Sequence, residues 1–272
     1  MTDEMCHAPI GVFDSGVGGL TVLKALQKEL PGEGFIYLGD TARLPYGTKS
    51  PTTVQRYALQ SAQSLVQRGI KALVVACNTA SAVALETLSK IHAPLPVFGV
   101  VEPGAAAATA AAKHGRIAVI ATESTIRGGA YQQEILKRLP GARVRGRACS
   151  LLVTLAEEGW VEGELPRQVV EAYVRQWLQA GSDTEVLLLG CTHFPVLEEV
   201  FRRVLGDLVT IVDSAATTAK VVAQEMEFAG LLNPGKGSRQ FLATDDVERF
   251  ARVGRTFLGE TIETRDVELV DL

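Results

Sequence analysis

The stretch Ala72-Leu-Val-Val-Ala-Cys77-Asn-Thr-Ala80 has a counterpart of the same form in Val186-Leu-Leu-Leu-Gly-Cys191-Thr-His-Phe-Pro195. Each begins as a continuous apolar run and passes through a cysteine into polar residues that suit the start of a helix. Continuous Val, Leu and Ile runs are typical of parallel strands covered by helices on both faces. The two stretches therefore predict an α/β fold in which Cys77 and Cys191 each stand at the end of a strand.

The same alternation of apolar runs and helical periods extends outward from both cysteines. It predicts two similar α/β domains with mainly parallel sheets, which face each other across an active-site crevice. We assign residues 1–101 together with 214–272 to the first domain and residues 102–213 to the second. The predicted strands are 10–14, 35–40, 72–76, 97–101 and 240–243 in the first domain, and 117–121, one near Val144, 186–189 and 209–213 in the second.

Composition limits the classes of partner. The net charge of −4 comes from interspersed acidic and basic residues, so no basic face indicates a nucleic acid or an anionic membrane surface. The alanine-rich segment 105–112 is much shorter than the roughly 20 apolar residues of a membrane span. The acidic N-terminus does not resemble a secretory signal. We expect a cytoplasmic protein with a small-molecule partner and with no membrane or nucleic acid partner.

The positions of the four cysteines indicate a function for two of them. In such a protein Cys6, Cys77, Cys149 and Cys191 are expected to remain thiols. One cysteine at a strand end is most simply a small buried apolar residue, and we interpret Cys6 and Cys149 as structural. Two cysteines in matching contexts favour a function, because ligands of parallel sheets bind beyond the carboxyl ends of the strands. The polar residues that follow them, Asn78 or Thr79 and Thr192, suit helix N-caps, and a helix N-terminus would lower each thiol pKa.

Other polar segments also follow predicted strands. Asp14-Ser15-Gly-Val-Gly-Gly19 is not a dinucleotide fingerprint, because the third glycine would fall at Thr21. It suits a small anion, with Asp14 facing Cys77 or a substrate ammonium, although Asp14 as a cap of the next helix is an equal alternative. Thr122 and Thr125 offer hydroxyls to the crevice, the loop 43–48 offers Tyr46 and backbone amides, and His193 could tune or protonate Cys191.

No cofactor or metal is expected. A zinc site of Cys77, Cys191 and His193 lacks the usual ligand spacing. Pyridoxal phosphate would need a Schiff-base lysine, and no lysine stands at a predicted strand end.

Together, several motifs resemble those of the aspartate/glutamate racemase family, and of its glutamate racemases in particular. The resemblance covers nearly the whole chain in order, which makes it specific although each motif alone is weak. The motifs are residues 12–21 (VFDSGVGGLT), 39–48 (GDTARLPYGT), 76–81 (ACNTAS), 99–104 (GVVEPG), 190–195 (GCTHFP) and 212–214 (VDS).

The resemblance implies interconversion of L- and D-glutamate, which supplies D-glutamate for bacterial peptidoglycan. Cys77 matches the family's base for D-glutamate, with Asp14 assisting, and Cys191 matches the base for L-glutamate, with His193 assisting. Glu157 looks like a further acidic helper, with Glu158 as the alternative alignment. Family members differ in assembly, and a homodimer is the expectation. The implied substrate-lining residues are Asp14, Ser15, Pro45, Tyr46, Gly47, Asn78, Thr79, Thr122, Thr125, Thr192 and His193.

Two thiols on opposite faces of a substrate are the minimal arrangement for removing a Cα proton and returning one to the other face. Two alternatives stay open. The first is a racemase or isomerase of another dicarboxylate such as aspartate. The second is a non-catalytic amino-acid-binding module, which predicts binding without exchange of the Cα proton.

Overall fold

A computed structural model describes residues 3–179 and 183–272, which form two parallel sheets. Both sheets contain only parallel pairs, so the predicted α/β class is confirmed. The strands are β1 (Ile10–Asp14), β2 (Phe35–Gly39), β3 (Ala72–Val75), β4 (Val97–Gly99), β5 (Arg116–Ala121), β6 (Arg143–Ala148), β7 (Val186–Gly190), β8 (Thr210–Asp213), β9 (Arg239–Ala243) and β10 (Val267–Leu269).

Helices alternate with these strands. They are α1 (Asp3–His7), α2 (Leu20–Glu29), α3 (Pro51–Val66), α4 (Asn78–Ile91), α5 (Val101–Ala111), α6 (Glu123–Gly128), α7 (Ala130–Arg138), α8 (Ser150–Glu157), α9 (Glu164–Val170), α10 (Gln176–Gln179), α11 (Glu198–Leu205), α12 (Ser214–Phe228) and α13 (Val247–Leu258). A π-helical turn, Glu171–Arg175, joins α9 to α10. Single 3₁₀ turns lie at Thr41–Arg43, Tyr46–Thr48, Phe194–Leu197 and Thr264–Asp266. Within residues 3–179 and 183–272, no helix is long and apolar enough to cross a membrane.

The first sheet has the order β10-β9-β2-β1-β3-β4, and the second has β6-β5-β7-β8. Each sheet buries apolar side chains on both faces. On β1, for example, Ile10 and Val12 join one core cluster, while Phe13 joins the cluster on the opposite face. The second sheet has two clusters of its own. Burial on both faces explains why β1, β2, β3 and β7 are continuous apolar runs.

The C-terminal tail returns to the first sheet. β9 pairs with β2, and β10 pairs with β9 to form the sheet edge. We call the parts of the molecule built on the first and the second sheet the first and the second half. The helix α12 packs on α2 of the first half and on α5 beside the second sheet. This pairing supports the proposed division into residues 1–101 plus 214–272 and residues 102–213, which remains a prediction.

Side-chain caps begin several helices where the sequence offers them. The Ser50 hydroxyl accepts from the Thr53 N–H (3.3 Å) ahead of α3, and Pro51 occupies its first position. Asp213 accepts from the Ala215 N–H (2.9 Å) at the start of α12. Asp246 accepts from the Arg249 N–H (2.9 Å) at the start of α13. These caps fix where α12 and α13 leave their strands.

Candidate active site

The carboxyl ends of both sheets meet at one place. Asp14 ends β1, Cys77 follows β3, and Cys191 follows β7. Thr192, the neighbour of Cys191, donates through Oγ1 to Asp14 Oδ1 across the two halves (3.5 Å), and Thr21 Oγ1 donates to the Thr192 carbonyl (3.0 Å). The structure thus brings the predicted residues of both sheets into one buried cluster.

Cys77 lies on the side of the first sheet beside Asp14. It is itself the N-cap residue of α4, and its thiol is buried. Burial and the nearby Asp14 carboxylate raise the Cys77 pKa to about 12. The N–H of Ala80 and the Ser15 hydroxyl favour the thiolate, but burial outweighs them. The predicted lowering of this thiol pKa by the helix N-terminus is therefore wrong.

Asp14 has no contact with solvent. Burial raises its pKa, while His193 and the N–H groups of Gly19, Gly16 and Ser15 act in the opposite direction. The Gly16 N–H donates to Asp14 Oδ2 at 3.1 Å. Asp14 thus holds the glycine turn before α2 and also acts on Cys77. It does not cap α2, because Gly19 occupies the N-cap position and no side chain in the described part of the molecule caps that helix.

Cys191 lies on the side of the second sheet and is followed by a chain of polar groups. Its Sγ is 3.8 Å from His193 Nδ1, and His193 Nε2 is 3.1 Å from Glu157 Oε1. Burial disfavours the charged imidazole, but hydrogen bonds to Cys191 and Glu157 raise the His193 pKa to about 10. The imidazole is therefore an imidazolium at neutral pH.

Glu157 is the last residue of α8 and is largely buried. Burial favours its neutral form, but His193 and Arg249 outweigh it and lower the Glu157 pKa. Arg249 Nη2 donates to Glu157 Oε2 at 3.1 Å. Glu158, by contrast, is exposed. The geometry selects Glu157 of the two alternatives from the sequence.

Thr192 does not cap a helix, contrary to the prediction. The chain makes a turn after β7, and the one-turn helix Phe194–Leu197 follows with His193 in its N-cap position. Thr192 Oγ1 instead contacts Asp14 and His193 Nδ1 (3.3 Å). Thr192 therefore connects Asp14, which assists Cys77, to His193, which assists Cys191.

Three threonine hydroxyls form a triangle between the halves. Thr79 Oγ1 lies 3.0 Å from that of Thr122 and 3.1 Å from that of Thr125, and the last two are 3.0 Å apart. Gly47 packs against this triangle, because a Cβ built on it would lie 2.5 Å from Thr122 Cβ. Hydroxyls can reorient to donate to an anion, which suits them to a substrate carboxylate.

Asn78 also joins the halves. Its side-chain amide is 2.5 Å from the Tyr131 hydroxyl. With its nitrogen facing the Gly190 carbonyl (3.3 Å), its oxygen accepts from the Thr192 N–H (3.2 Å). Asn78 therefore fixes the turn that carries Thr192 and His193.

The loop after β2 is organised around the buried carboxylate of Asp40. This group accepts from the Tyr46 hydroxyl, from Arg43 Nε (2.7 Å) and from Thr244 Oγ1 (3.0 Å). Tyr46 is fully buried in the core of the first half, so its ring and hydroxyl serve the loop. Pro45 is exposed at the start of this turn, and Ser15 is half-buried next to Cys77.

Sequence reasoning missed four residues that support this site, namely Asp40, Tyr131, Arg249 and Phe257. Asp40 follows directly after β2, and Asp14 is the last residue of β1, so the strand-end pattern could have found Asp40 as well. The contacts of Arg249 and Phe257 could not be found that way, because α13 lies far from Glu157 and His193 in sequence. The Phe257 ring packs edge-on against the His193 ring with centroids 5.1 Å apart.

A cavity of about 340 Å³ adjoins the Glu157 side of the site. Among residues 3–179 and 183–272, no three His, Cys, Asp or Glu side chains are grouped so that they could hold a metal ion. The cavity is lined by Val17, Thr41, Leu44, Glu157, Asp245, Asp246, Arg249, Phe250 and Val253.

Comparisons with known proteins agree with this geometry. The family model described as Asp/Glu/Hydantoin racemase matches residues 10–222. A glutamate racemase of Geobacter metallireducens is 51% identical over 252 residues, which cover 92% of each chain. The structure is similar to that of Francisella tularensis glutamate racemase in complex with D-glutamate, with a TM-score of 0.90, 36% identity and 98% coverage of both chains. The glutamate racemase of Thermus thermophilus in complex with β-chloro-D-alanine gives a TM-score of 0.88 at 44% identity, also with 98% coverage of both chains.

Proposed function

Because this chain belongs to the Asp/Glu/hydantoin racemase family, we propose that it is an amino-acid racemase that interconverts L- and D-glutamate by a two-thiol mechanism. One observation carries the proposal. Cys77 and Cys191 follow strands of two different sheets, and each has its own assisting group, Asp14 for the first and His193 for the second.

The two thiols divide the reaction between them. The Cys191 thiolate removes the Cα proton of L-glutamate, and the Cys77 thiol delivers a proton to the opposite face. D-glutamate reacts through the same steps in reverse. The His193 imidazolium stabilises the Cys191 thiolate as an ion pair, while the buried Cys77 holds its proton until the carbanion forms.

Polar groups from both halves are available to a substrate. The triangle of Thr79, Thr122 and Thr125 supplies hydroxyls for a carboxylate, and the Ser15 hydroxyl lies beside Cys77. Asp14 supplies a carboxylate for the substrate ammonium. Fixed donors in a buried site stabilise the negative charge that develops when the Cα proton leaves.

Racemisation in D₂O tests the proposal. Purified protein is incubated with L-glutamate, and optical rotation and loss of the Cα proton are followed for the wild type, Cys77→Ser and Cys191→Ser, with Cys6→Ser as the matched control. We expect the wild type and Cys6→Ser to racemise with deuterium incorporation, and both other variants to lose racemisation. Binding of glutamate without exchange would contradict the proposal and favour a binding module. Activity on aspartate alone would keep the mechanism and change the substrate.

The cellular setting follows from this activity. An enzyme of this kind supplies D-glutamate for peptidoglycan, whose precursors are made in the cytoplasm. A homodimer remains a prediction, and sedimentation equilibrium of the purified protein tests it.

A further inference from the structure

Arg249 reaches the His193–Glu157 pair from the other half of the molecule. Glu157 divides its carboxylate between two partners, with Oε1 on His193 Nε2 and Oε2 on Arg249 Nη2, each at 3.1 Å. Glu157 and His193 belong to the half built on the second sheet. Arg249 belongs to α13, which packs on α2 and on β10 of the first sheet. The contact therefore joins the two halves at the assisting group of Cys191.

Exposure increases outward along this chain of contacts. The side chains of His193, Glu157 and Arg249 are 7%, 16% and 39% exposed. Arg249 is thus the outermost member and stands where Glu157 borders the cavity, whose wall also carries the acids Asp245 and Asp246. Without a cation on Oε2, the carboxylate would be free to rotate away from His193 toward water in that cavity.

The start of α13 sets the position of Arg249. The Asp246 side chain caps the helix by accepting from the Arg249 N–H at 2.9 Å, which fixes the backbone from which the guanidinium extends. Phe257, near the other end of α13, packs on the imidazole of His193. One helix thus contacts both members of the His193–Glu157 pair.

We propose that Arg249 is a positioning residue for the half-reaction of Cys191. It fixes Glu157 on His193, and His193 is thereby held in line with the Cys191 sulfur. The inference rests on the proposed racemase function. Arg249, a residue of the C-terminal tail, is then part of the site. It acts on the proton transfer at Cys191 and not on the one at Cys77.

Isotope effects distinguish this role from a loss of fold. Deuterium at Cα of L-glutamate is transferred to Cys191, whereas deuterium at Cα of D-glutamate is transferred to Cys77. If Arg249→Gln slows only the Cys191 transfer, that step becomes rate-limiting in both directions. The isotope effect on kcat/KM then rises with deuterated L-glutamate and falls toward one with deuterated D-glutamate. We expect kcat/KM to fall roughly 10- to 150-fold, the range for one hydrogen bond to a charged group.

Three further variants complete the experiment. Arg249→Lys should recover most of the activity, because it restores a cation next to Glu157. Arg252→Gln, at an exposed position of the same helix, should leave the rate and both isotope effects unchanged. In a Glu157→Gln background, Arg249→Gln should have little further effect, since the two residues then act as one unit.

The outcomes separate the two proposals. A wild-type enzyme that does not racemise glutamate overturns the proposed function. A wild-type enzyme that racemises, together with an Arg249→Gln variant that keeps wild-type isotope effects in both directions or loses rate independently of Glu157, overturns the inference alone. Thermal unfolding of each variant shows whether it is folded, and Arg249→Met, which also lacks the cation, serves for the isotope effects if Arg249→Gln is not.

Discussion

The two equally buried thiols have different electrostatic surroundings. Cys77 and Cys191 are each 5% exposed. Next to Cys77 is a carboxylate, which raises the cost of a second negative charge, whereas next to Cys191 is an imidazolium. The free enzyme therefore holds a thiol at Cys77, whereas a cation stands beside Cys191. In the proposed mechanism Cys77 is then the proton donor in the reaction of L-glutamate, and it must lose its proton before D-glutamate can react.

Alkylation of the free enzyme measures this difference. At pH 7 iodoacetamide should modify Cys77 at least about tenfold more slowly than Cys191, because the thiolate is the nucleophile and the raised pKa of Cys77 keeps that thiol protonated. Peptide mass spectrometry gives the two rates. The ratio should narrow as the pH approaches 10, since the His193 proton is then lost and the Cys77 thiolate fraction rises below its pKa of about 12. His193→Gln should slow the alkylation of Cys191 and leave the alkylation rate of Cys77 unchanged. Faster modification of Cys77 at neutral pH would contradict the assignment.

The sequence located the chemistry at this scale but not its electrostatics. The strand-end pattern of Cys77, Cys191 and Asp14 was enough to predict that the three would meet. The pKa of Cys77 could not be predicted, because it depends on burial by residues of both halves, which outweighs the local effect of the helix N-terminus. Tyr46 is buried with its hydroxyl on Asp40 for the same reason, since a loop sequence does not show which carboxylate the loop will surround.

At the scale of elements, the turn between β1 and α2 sets how closely the halves approach. A Cβ built on Gly18 would lie 2.5 Å from His193 Nδ1 and 2.6 Å from Thr192 Oγ1. A Cβ on Gly16 in the same turn would meet only the Leu44 side chain, at an ordinary 3.5 Å. Position 18 therefore requires a glycine because of its contact with the opposite half, whereas position 16 has room for a Cβ.

The variant Gly18→Ala should lower kcat by about 100-fold, because the extra methyl displaces His193 from Cys191 by a distance on the order of 1 Å. Steady-state kinetics in both directions measure the effect. Gly16→Ala is the matched control and should retain activity close to that of the wild type. Equal activities of the two variants would show that the halves do not close on Gly18 in the working enzyme.

Elements with a strong pattern were predicted, and short ones were not. The strands β1, β2, β3, β5 and β7 follow from their apolar runs. The six-residue helix α6 and the three-residue strand β10 are too short for a periodic pattern, and α6 ends at Gly129, whose φ of +67° is left-handed. The predicted strand 97–101 ends at Gly99, because Val101 already begins α5.

In the molecule as a whole, the chain leaves the first sheet, builds the second and returns. The return brings Arg249 and Phe257 to the site, and it also brings residues 231–233 against the N-terminal segment. A buried lysine marks this second junction. Lys71 Nζ bonds to Glu33 Oε2 (2.5 Å) and donates to the carbonyls of Cys6 (2.6 Å) and Leu231 (2.8 Å). One cation thus joins the N-terminal segment to the returning part of the chain.

Replacing that cation should destabilise the protein without touching the site. Lys71→Met leaves the buried Glu33 without its counterion, which costs roughly 3–5 kcal/mol in the free energy of unfolding. Urea denaturation measures the loss. Lys71→Met/Glu33→Gln should recover part of it, because the introduced amide carries no charge yet can still accept from the Asn233 N–H, as Glu33 does at 2.7 Å. Lys90→Met, which breaks an exposed pair with Glu86, should leave the urea midpoint unchanged. A double variant less stable than Lys71→Met would show that the ion pair does not join these segments, and that the carboxylate of Glu33 stabilises them through its other contacts.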